Sequence, residues 1–174
     1  GICFIGERDF TKFLSQYVAT KPGAIRTLSG EQVGTHTGCA FYTLGQRKGL
    51  GLGGEGDAWF VVAKDASSNT VFVERGHEHP ALLASVLWAE ELSWIAGKAP
   101  MRDDGVWRGT AKSRYRQLDQ ACEARLESGR LRVSFDQPQR SLTLGQSVVL
   151  YDGEVCMGGG VICEVTRNFE LPIL

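Results

Sequence analysis

The stretch SVVLYDGEVCMGGGVICEV, residues 147–165, contains the strongest hairpin signal in the chain. Two apolar runs, Ser147–Tyr151 and Glu154–Val165, flank the dipeptide Asp152-Gly153. This dipeptide favours the tight two-residue turn that joins adjacent antiparallel strands, because aspartate and glycine tolerate positive φ. The stretch therefore predicts a pair of neighbouring strands and an all-β environment for the C-terminal part of the chain.

Four further strands are predicted in the same part of the chain, where apolar runs alternate with polar and glycine-containing turns. They are Ser85–Ser93, Gly105–Arg116, Cys122–Leu126 and Leu131–Phe135. Six closely spaced strands with few helical patterns are typical of a closed barrel, which leaves no sheet edge unpaired. We expect this barrel to occupy residues 80–174, because a proline after His79 restricts the backbone there and marks a boundary.

Residues 21–79 are predicted to form a separate small β-rich domain. Its candidate strands are Ala24–Leu28, Gln32–Thr35, Trp59–Lys64 and Val71–Arg75, with turns between them. Residues 1–20 precede it and are predicted to contain a short helix over 9–18, since apolar residues recur there at helical spacing. The predicted fold class is therefore mainly β, with a short N-terminal helix.

Composition excludes several classes of protein. The 174 residues are 43% hydrophobic and 22% charged, which is typical of a globular domain, and the net charge of −1 gives no overall attraction to nucleic acid. Five cysteines, an odd number at irregular spacing, indicate a reducing compartment, and cytoplasm is expected. No apolar run reaches the ~18 residues of a membrane span. His36 with Cys39 and His77 with His79 lack a second ligand pair, so no metal site is expected.

Several ordered motifs resemble those of one enzyme family, the tRNA-specific 2-thiouridylases. The segments are Lys21-Pro22-Gly23, Val33–His36, Tyr42–Gly54 (YTLGQRKGLGLGG), Trp59–Val62, Lys112–Gln117, Gly145-Gln146-Ser147 and Gly158-Gly159-Gly160. The resemblance extends over essentially the whole chain. It implies a C-terminal barrel similar to the second domain of translation elongation factors, and an ATP-dependent sulfurtransferase that makes 2-thiouridine at the wobble position of tRNA.

The resemblance also implies a role for Cys3, which lies in the segment Gly1–Arg8. This segment resembles the surroundings of the family's second catalytic cysteine, which carries sulfur as a persulfide. The family's ATP-binding loop, Ser-Gly-Gly-x-Asp-Ser, and its first catalytic cysteine do not occur in these 174 residues. We therefore expect a C-terminal fragment that is inactive alone, with ATP bound by a missing N-terminal domain. The nearest glycine-rich stretch, Gly53–Asp57, lacks the Ser and Lys of phosphate-binding loops and is interpreted as a flexible turn.

The implied partners are tRNA, in particular the Lys, Glu and Gln isoacceptors, and a sulfur-carrier protein or cysteine desulfurase. A monomer is expected, with no membrane partner. Each of the other four cysteines is interpreted as a small hydrophobic residue packed in the interior. They are Cys39, Cys122, Cys156 and Cys163.

Two basic stretches are candidates for tRNA binding. In an extended strand Lys112, Arg114 and Arg116 would share one face, which the residues alone would make an ordinary solvated surface. The resemblance favours tRNA binding instead, because Arg114 and Tyr115 match positions that touch tRNA in the family, as does Gln146. Tyr115 would point away from the cations and is open to packing in the barrel.

The second basic stretch is Gln46-Arg47-Lys48, between Gly45 and Gly49, where a tRNA contact and an ordinary polar loop stay open. His36 is a candidate acid or base, although a structural histidine is favoured. The four tryptophans are interpreted as core anchors. The alternative to a sulfurtransferase fragment is a non-catalytic RNA-binding β-barrel adaptor module, which would have no use for a cysteine in the setting of Cys3.

Overall fold

A computed structural model describes residues 20–114, 117–167 and 169. One compact unit ends at His79, and the next begins at Pro80. The predicted helix over residues 9–18 and the rest of the predicted segment 1–20, apart from Thr20, lie outside the described residues. No helix within the described ranges is long and apolar enough to cross a membrane.

The described part of the first unit contains a four-stranded sheet in the order β2-β1-β4-β3. The strands are β1 (Gly23–Arg26), β2 (Gln32–His36), β3 (Trp59–Asp65) and β4 (Thr70–Arg75). Two antiparallel pairs, β1 with β2 and β3 with β4, are joined by parallel pairing of β1 with β4. The core contains the β-branched residues Ile25, Val61, Val71 and Val73, all fully buried. Branched side chains suit a pleated surface, which explains why these runs form strands.

The connection from β2 to β3 spans residues 37–58 and supplies part of the same core. It begins with a 3₁₀ turn at Cys39–Phe41, and Phe41, Tyr42 and Leu50 pack against the sheet. These buried side chains fix the path of a loop that otherwise has no regular structure.

Within the described part of the second unit, six strands close into a barrel in the order β10-β5-β8-β7-β6-β9. The strands are β5 (Leu83–Trp94), β6 (Val106–Lys112), β7 (Gln120–Glu127), β8 (Arg130–Arg140), β9 (Ser147–Asp152) and β10 (Val155–Arg167). Alternate residues of each strand point inward, as Leu131, Val133 and Phe135 do on β8. The mainly β fold class is confirmed, and β9 and β10 form the antiparallel pair that Asp152-Gly153 predicts.

The glycine run on β10 allows the strands to approach closely. A Cβ atom at Gly159 would lie 1.9 Å from the carbonyl oxygen of Val148, and one at Gly158 would lie 2.2 Å from that of Ser93. No side chain fits at such distances, so glycine here reflects close backbone contact rather than a loop.

Most strand bounds differ from prediction by one or two residues, and two strand ends differ by more. β6 ends at Lys112 rather than Arg116, because both the N–H and the hydroxyl of Ser113 bond to the side chain of Gln117 and turn the chain away. β8 continues to Arg140 rather than ending at Phe135, because its last residues pair with the start of β5 after a register shift.

Candidate nucleic-acid interface

Arg114 lies just beyond the end of β6 and is fixed by a single carbonyl. Its Nη2 donates a hydrogen bond to the main-chain oxygen of Ser141 at 2.7 Å, and the hydroxyl of Thr143 donates to the same oxygen at 3.0 Å. Ser141 is buried and has a φ of 56°, so its carbonyl direction is set by an unusual backbone conformation. The exposed Arg114 is thereby joined to the loop that leads to Gln146.

A chain of amide side chains supports the segment that carries Arg114. The carbonyl oxygen of the Gln117 side chain accepts from Ser113, and Gln117 Nε2 donates to Gln139 Oε1 at 2.7 Å. Gln139 Nε2 in turn donates to Gln120 Oε1 at 3.0 Å and to the main-chain oxygen of Gln137 at 2.8 Å. We call Ser113, Gln117, Gln139 and Gln120 the glutamine relay. Because Gln139 is buried, the relay ties the loop after β6 to the barrel wall.

Lys112 is the last residue of β6, and its charge is already partnered. Its Nζ lies 3.0 Å from Asp119 Oδ1 and 5.3 Å from the ring centroid of Tyr151. Since the strand stops at Lys112, the prediction that one extended strand would carry Lys112, Arg114 and Arg116 on a common face is wrong. Arg116 and Tyr115 lie outside the described residues, and their roles stay predictions.

Gln146 lies in a loop that two main-chain hydrogen bonds attach to Ile162 of β10. Gly145 N–H donates to Ile162 O at 2.8 Å, and Ile162 N–H donates to Gln146 O at 2.7 Å. Gly145 has a φ of 80°, a conformation that favours glycine. The side-chain oxygen of Gln146 is buried and accepts no hydrogen bond from the described residues.

The same tetrapeptide, Thr-Leu-Gly-Gln, occurs at 43–46 in the first unit and at 143–146 in the second. Both copies make the same contacts: Gly45 N–H donates to Val61 O at 2.8 Å, Val61 N–H donates to Gln46 O at 3.0 Å, and Gly45 has a φ of 79°. The side chains differ. Gln46 Oε1 accepts from Thr43 N–H and its Nε2 donates to Lys48 O, so the Gln46 amide holds its own loop together, which that of Gln146 does not.

Reading the sequence alone missed this correspondence, although the identical four letters, 100 positions apart, could have signalled it. Four residues are too few to stand out before the two loops are seen to share a geometry.

Arg47 and Lys48 follow the first tetrapeptide and are exposed. Neither side chain forms an ion pair or hydrogen bond with the described residues. Arg47 lines an open groove of about 240 Å³, together with Trp59, Arg75 and the four glycines at positions 51, 53, 54 and 56. Their predicted tRNA contact stays a prediction, on a surface that leaves both charges accessible.

The tryptophans divide into two kinds. Trp107 is a core residue, as predicted, and the partly buried Trp94 packs against the same core. Trp59 and Trp88 are only partly buried, and each carries an arginine on its ring: Arg75 at 4.2 Å and Arg130 at 4.7 Å from the respective centroid. Sequence reasoning missed both stacks, because the partners are distant along the chain.

His36 has a structural position. It is buried, its Nε2 lies 3.0 Å from the carbonyl oxygen of Asn69, and its ring packs edge-on against Tyr42. That carbonyl makes Nε2 the protonated nitrogen. An acid or base role at this buried position has no support in the geometry.

The described cysteines have no disulfide partner among themselves. Burial, with a smaller contribution from Asp136, raises the pKa of the Cys122 thiol to about 12, so it is a core residue and not a nucleophile. Cys163 donates from its thiol to Trp88 O at 3.4 Å. Cys3, the predicted sulfur carrier, lies outside the described residues. Among the side chains that are described, no cluster of three or more His, Cys, Asp or Glu is placed to hold a metal ion.

Two family models match the chain in order. The tRNA methyl transferase PRC-barrel domain matches residues 11–75, and the aminomethyltransferase beta-barrel domain matches residues 84–162. The relatives include proteins named tRNA-specific 2-thiouridylase MnmA. That of Protochlamydia amoebophila is 58% identical over 93% of this chain, and that of Ralstonia pickettii is 55% identical over 93%. The chain spans 42% and 44% of the length of these two proteins.

Proposed function

Because this chain belongs to the tRNA-specific 2-thiouridylase family, we propose that it is part of an ATP-dependent tRNA sulfurtransferase that makes 2-thiouridine at the wobble position. The observation that supports this most directly is 58% identity over 93% of the chain to a relative of that name. The order of the two family models along the chain agrees with it. The described residues supply the tRNA-binding part of the enzyme.

The barrel loops give this binding role a physical basis. Arg114 uses one guanidinium N–H for Ser141 O, and its remaining donors have no partner among the described residues. A guanidinium fixed at one edge and exposed at the other is well suited to an RNA phosphate, since its planar fork matches two phosphate oxygens. Gln146 lies in the loop that the same anchor joins, and its unpartnered Oε1 is available to an RNA donor once the amide turns outward.

The sulfur chemistry is assigned to Cys3, which we propose carries a persulfide received from a sulfur-carrier protein or a cysteine desulfurase. A cysteine suits this role because its thiolate is a good nucleophile and can hold a second sulfur. Two of the described cysteines are poorly placed to compete for it, because the thiol of Cys122 is buried and that of Cys163 is hydrogen-bonded to Trp88 O.

ATP is assigned to a part of the enzyme outside these 174 residues. The described glycine-rich loop does not fit a triphosphate, because Gly53 and Asp57 direct main-chain oxygens, not N–H groups, toward the cation of Arg75. ATP would supply activation of the uridine carbonyl, and we derive no step on these residues from it. The Lys, Glu and Gln tRNAs as substrates, a monomeric state and a cytoplasmic location complete the proposal.

A binding and activity assay on the 174-residue chain tests this proposal. We expect it to bind an unmodified tRNA transcript more tightly than single-stranded DNA of equal length, and to form no 2-thiouridine by itself when given ATP and a sulfur donor. Equal affinity for both polymers would contradict the binding role. Formation of 2-thiouridine would contradict the assignment of ATP to a part of the enzyme outside these residues. Normal thiolation by an intact enzyme whose Cys3 is replaced would favour the non-catalytic adaptor.

A further inference from the structure

The groove beside the glycine-rich loop contains two cations that the described carboxylates do not neutralise. Arg47 and Arg75 line it, while Asp57 is the acidic residue among the lining residues. The Arg75 guanidinium donates to main-chain oxygens, from Nη1 to Asp57 at 2.7 Å and from Nη2 to Gly53 at 3.5 Å. Neither arginine lies within ion-pair distance of a carboxylate in the part of the chain that the structure describes. The lining therefore has an excess positive charge.

The guanidinium plane of Arg75 is held in a fixed orientation. Its guanidinium lies 4.2 Å from the Trp59 ring centroid, and its edge is fixed by the two carbonyl oxygens. Trp59 is itself oriented, because its indole N–H donates to Gly53 O at 3.2 Å. The stack is thus assembled before any ligand arrives, which lowers the entropic cost of binding to it.

The glycines of the loop keep this groove open. A Cβ atom at Gly53 would meet nothing within 4 Å, so the backbone there is open to a partner. A Cβ atom at Gly54 would lie 2.9 Å from Arg75 Nη2, and the φ of 103° there is unfavourable for other residues. Glycine at 54 therefore permits the position that Arg75 takes on the indole.

We propose that this groove binds one nucleotide of a single-stranded segment of the bound RNA. The phosphate is paired by Arg47, and the base packs on the Arg75–Trp59 stack. Bases stack on guanidinium planes and aromatic rings in single-stranded RNA recognition, and an excess of cations attracts the backbone. The proposal rests on the proposed function and extends it, because it adds an RNA contact in the first unit to that of Arg114 in the barrel.

Fluorescence anisotropy with a labelled single-stranded ten-nucleotide uridylate RNA, titrated with the 174-residue chain, tests the proposal. Arg47→Ala removes no hydrogen bond or ion pair with the described residues, and we expect it to weaken binding about threefold through loss of the phosphate partner. Arg75→Ala removes cation and plane and should weaken binding about tenfold, whereas Arg75→Lys, which keeps the charge, should recover only part of the loss. Arg26→Ala, an exposed arginine on β1 outside the groove, is the charge-matched control and should have no more than a small effect.

The outcomes separate this inference from the proposed function. The groove proposal is wrong if Arg47→Ala and Arg75→Ala bind both the uridylate oligonucleotide and tRNA as tightly as Arg26→Ala does. If Arg114→Ala still weakens tRNA binding in that case, the barrel contact stands. If inorganic phosphate alone competes as well as the oligonucleotide per site, the groove is an anion site without base stacking, which also contradicts the proposal. Thermal unfolding of each variant identifies any loss of affinity that comes from a disturbed loop.

Discussion

The guanidinium of Arg114 and the main-chain carbonyl of Ser141 are joined by a 2.7 Å hydrogen bond across 27 positions of sequence. This bond brings to the loop that carries Gln146 a guanidinium edge that has no partner among the described residues. It also links two residues whose relation no sequence pattern indicates.

Replacing Arg114 by Ala is expected to weaken tRNA binding by the complete enzyme about five- to tenfold and to reduce the slope of log K against log salt by about 1, because one phosphate contact is lost. Filter binding at several salt concentrations measures both quantities. Arg108→Ala is the control: Arg108 is an exposed arginine of β6 already paired with Asp104 and Glu123 at 3.4 and 3.1 Å.

A second control separates charge from loop structure. Thr143→Val removes the other hydrogen bond to Ser141 O and leaves every charge in place. It should leave the salt slope unchanged. A slope that falls equally in Thr143→Val and Arg114→Ala would show that the loop, not the guanidinium charge, is responsible.

Gln139→Met is expected to lower the free energy of unfolding by about 1–3 kcal/mol, because it leaves the partly buried amides of Gln117 and Gln120 without their partner. Urea denaturation followed by tryptophan fluorescence checks this. The matched control is Gln137→Met, an exposed residue on the same strand whose side chain makes no hydrogen bond to the described residues. Equal losses in the two variants would argue against the relay.

Cys122 makes the stability of the barrel depend on pH in the alkaline range. Burial raises the pKa of its thiol from 9.0 to about 12, so the unfolded state loses this proton at lower pH than the folded state. The stabilising contribution is therefore complete below pH 9.0 and is lost as the pH rises from there to about 12.

Cys122→Ala should accordingly lose less stability than the unchanged protein over that alkaline interval, while being less stable at neutral pH because of the small cavity. Denaturation midpoints at a series of pH values provide the measurement. Parallel curves for the two proteins would mean that the thiol is not held neutral by burial.

Much of the architecture follows from local patterns. Asp152-Gly153 with its flanking apolar runs predicts β9 and β10, and runs of aromatic and β-branched residues such as Trp59–Val62 predict strands of the first sheet. The end of β6 does not follow, because it depends on Gln117 and on Gln139, whose partners are fixed only when the barrel closes.

The candidate sites show the same division. Arg47, Lys48 and Arg114 can be predicted as exposed cations from their polar surroundings. The Arg75–Trp59 stack cannot, because it requires the register in which Trp59 of β3 pairs with Arg75 of β4. Long-range pairing of this kind has no local signature.

The most direct measurement is the 2-thiouridine content of cellular tRNA, by mass spectrometry of nucleosides, when the intact enzyme carries Cys3→Ser. Cys156→Ser, a half-buried free cysteine of β10, is the matched control. The account predicts that 2-thiouridine disappears with Cys3→Ser and persists with Cys156→Ser. Normal 2-thiouridine in the Cys3→Ser strain would contradict the assignment of this chain to the sulfur-transfer step.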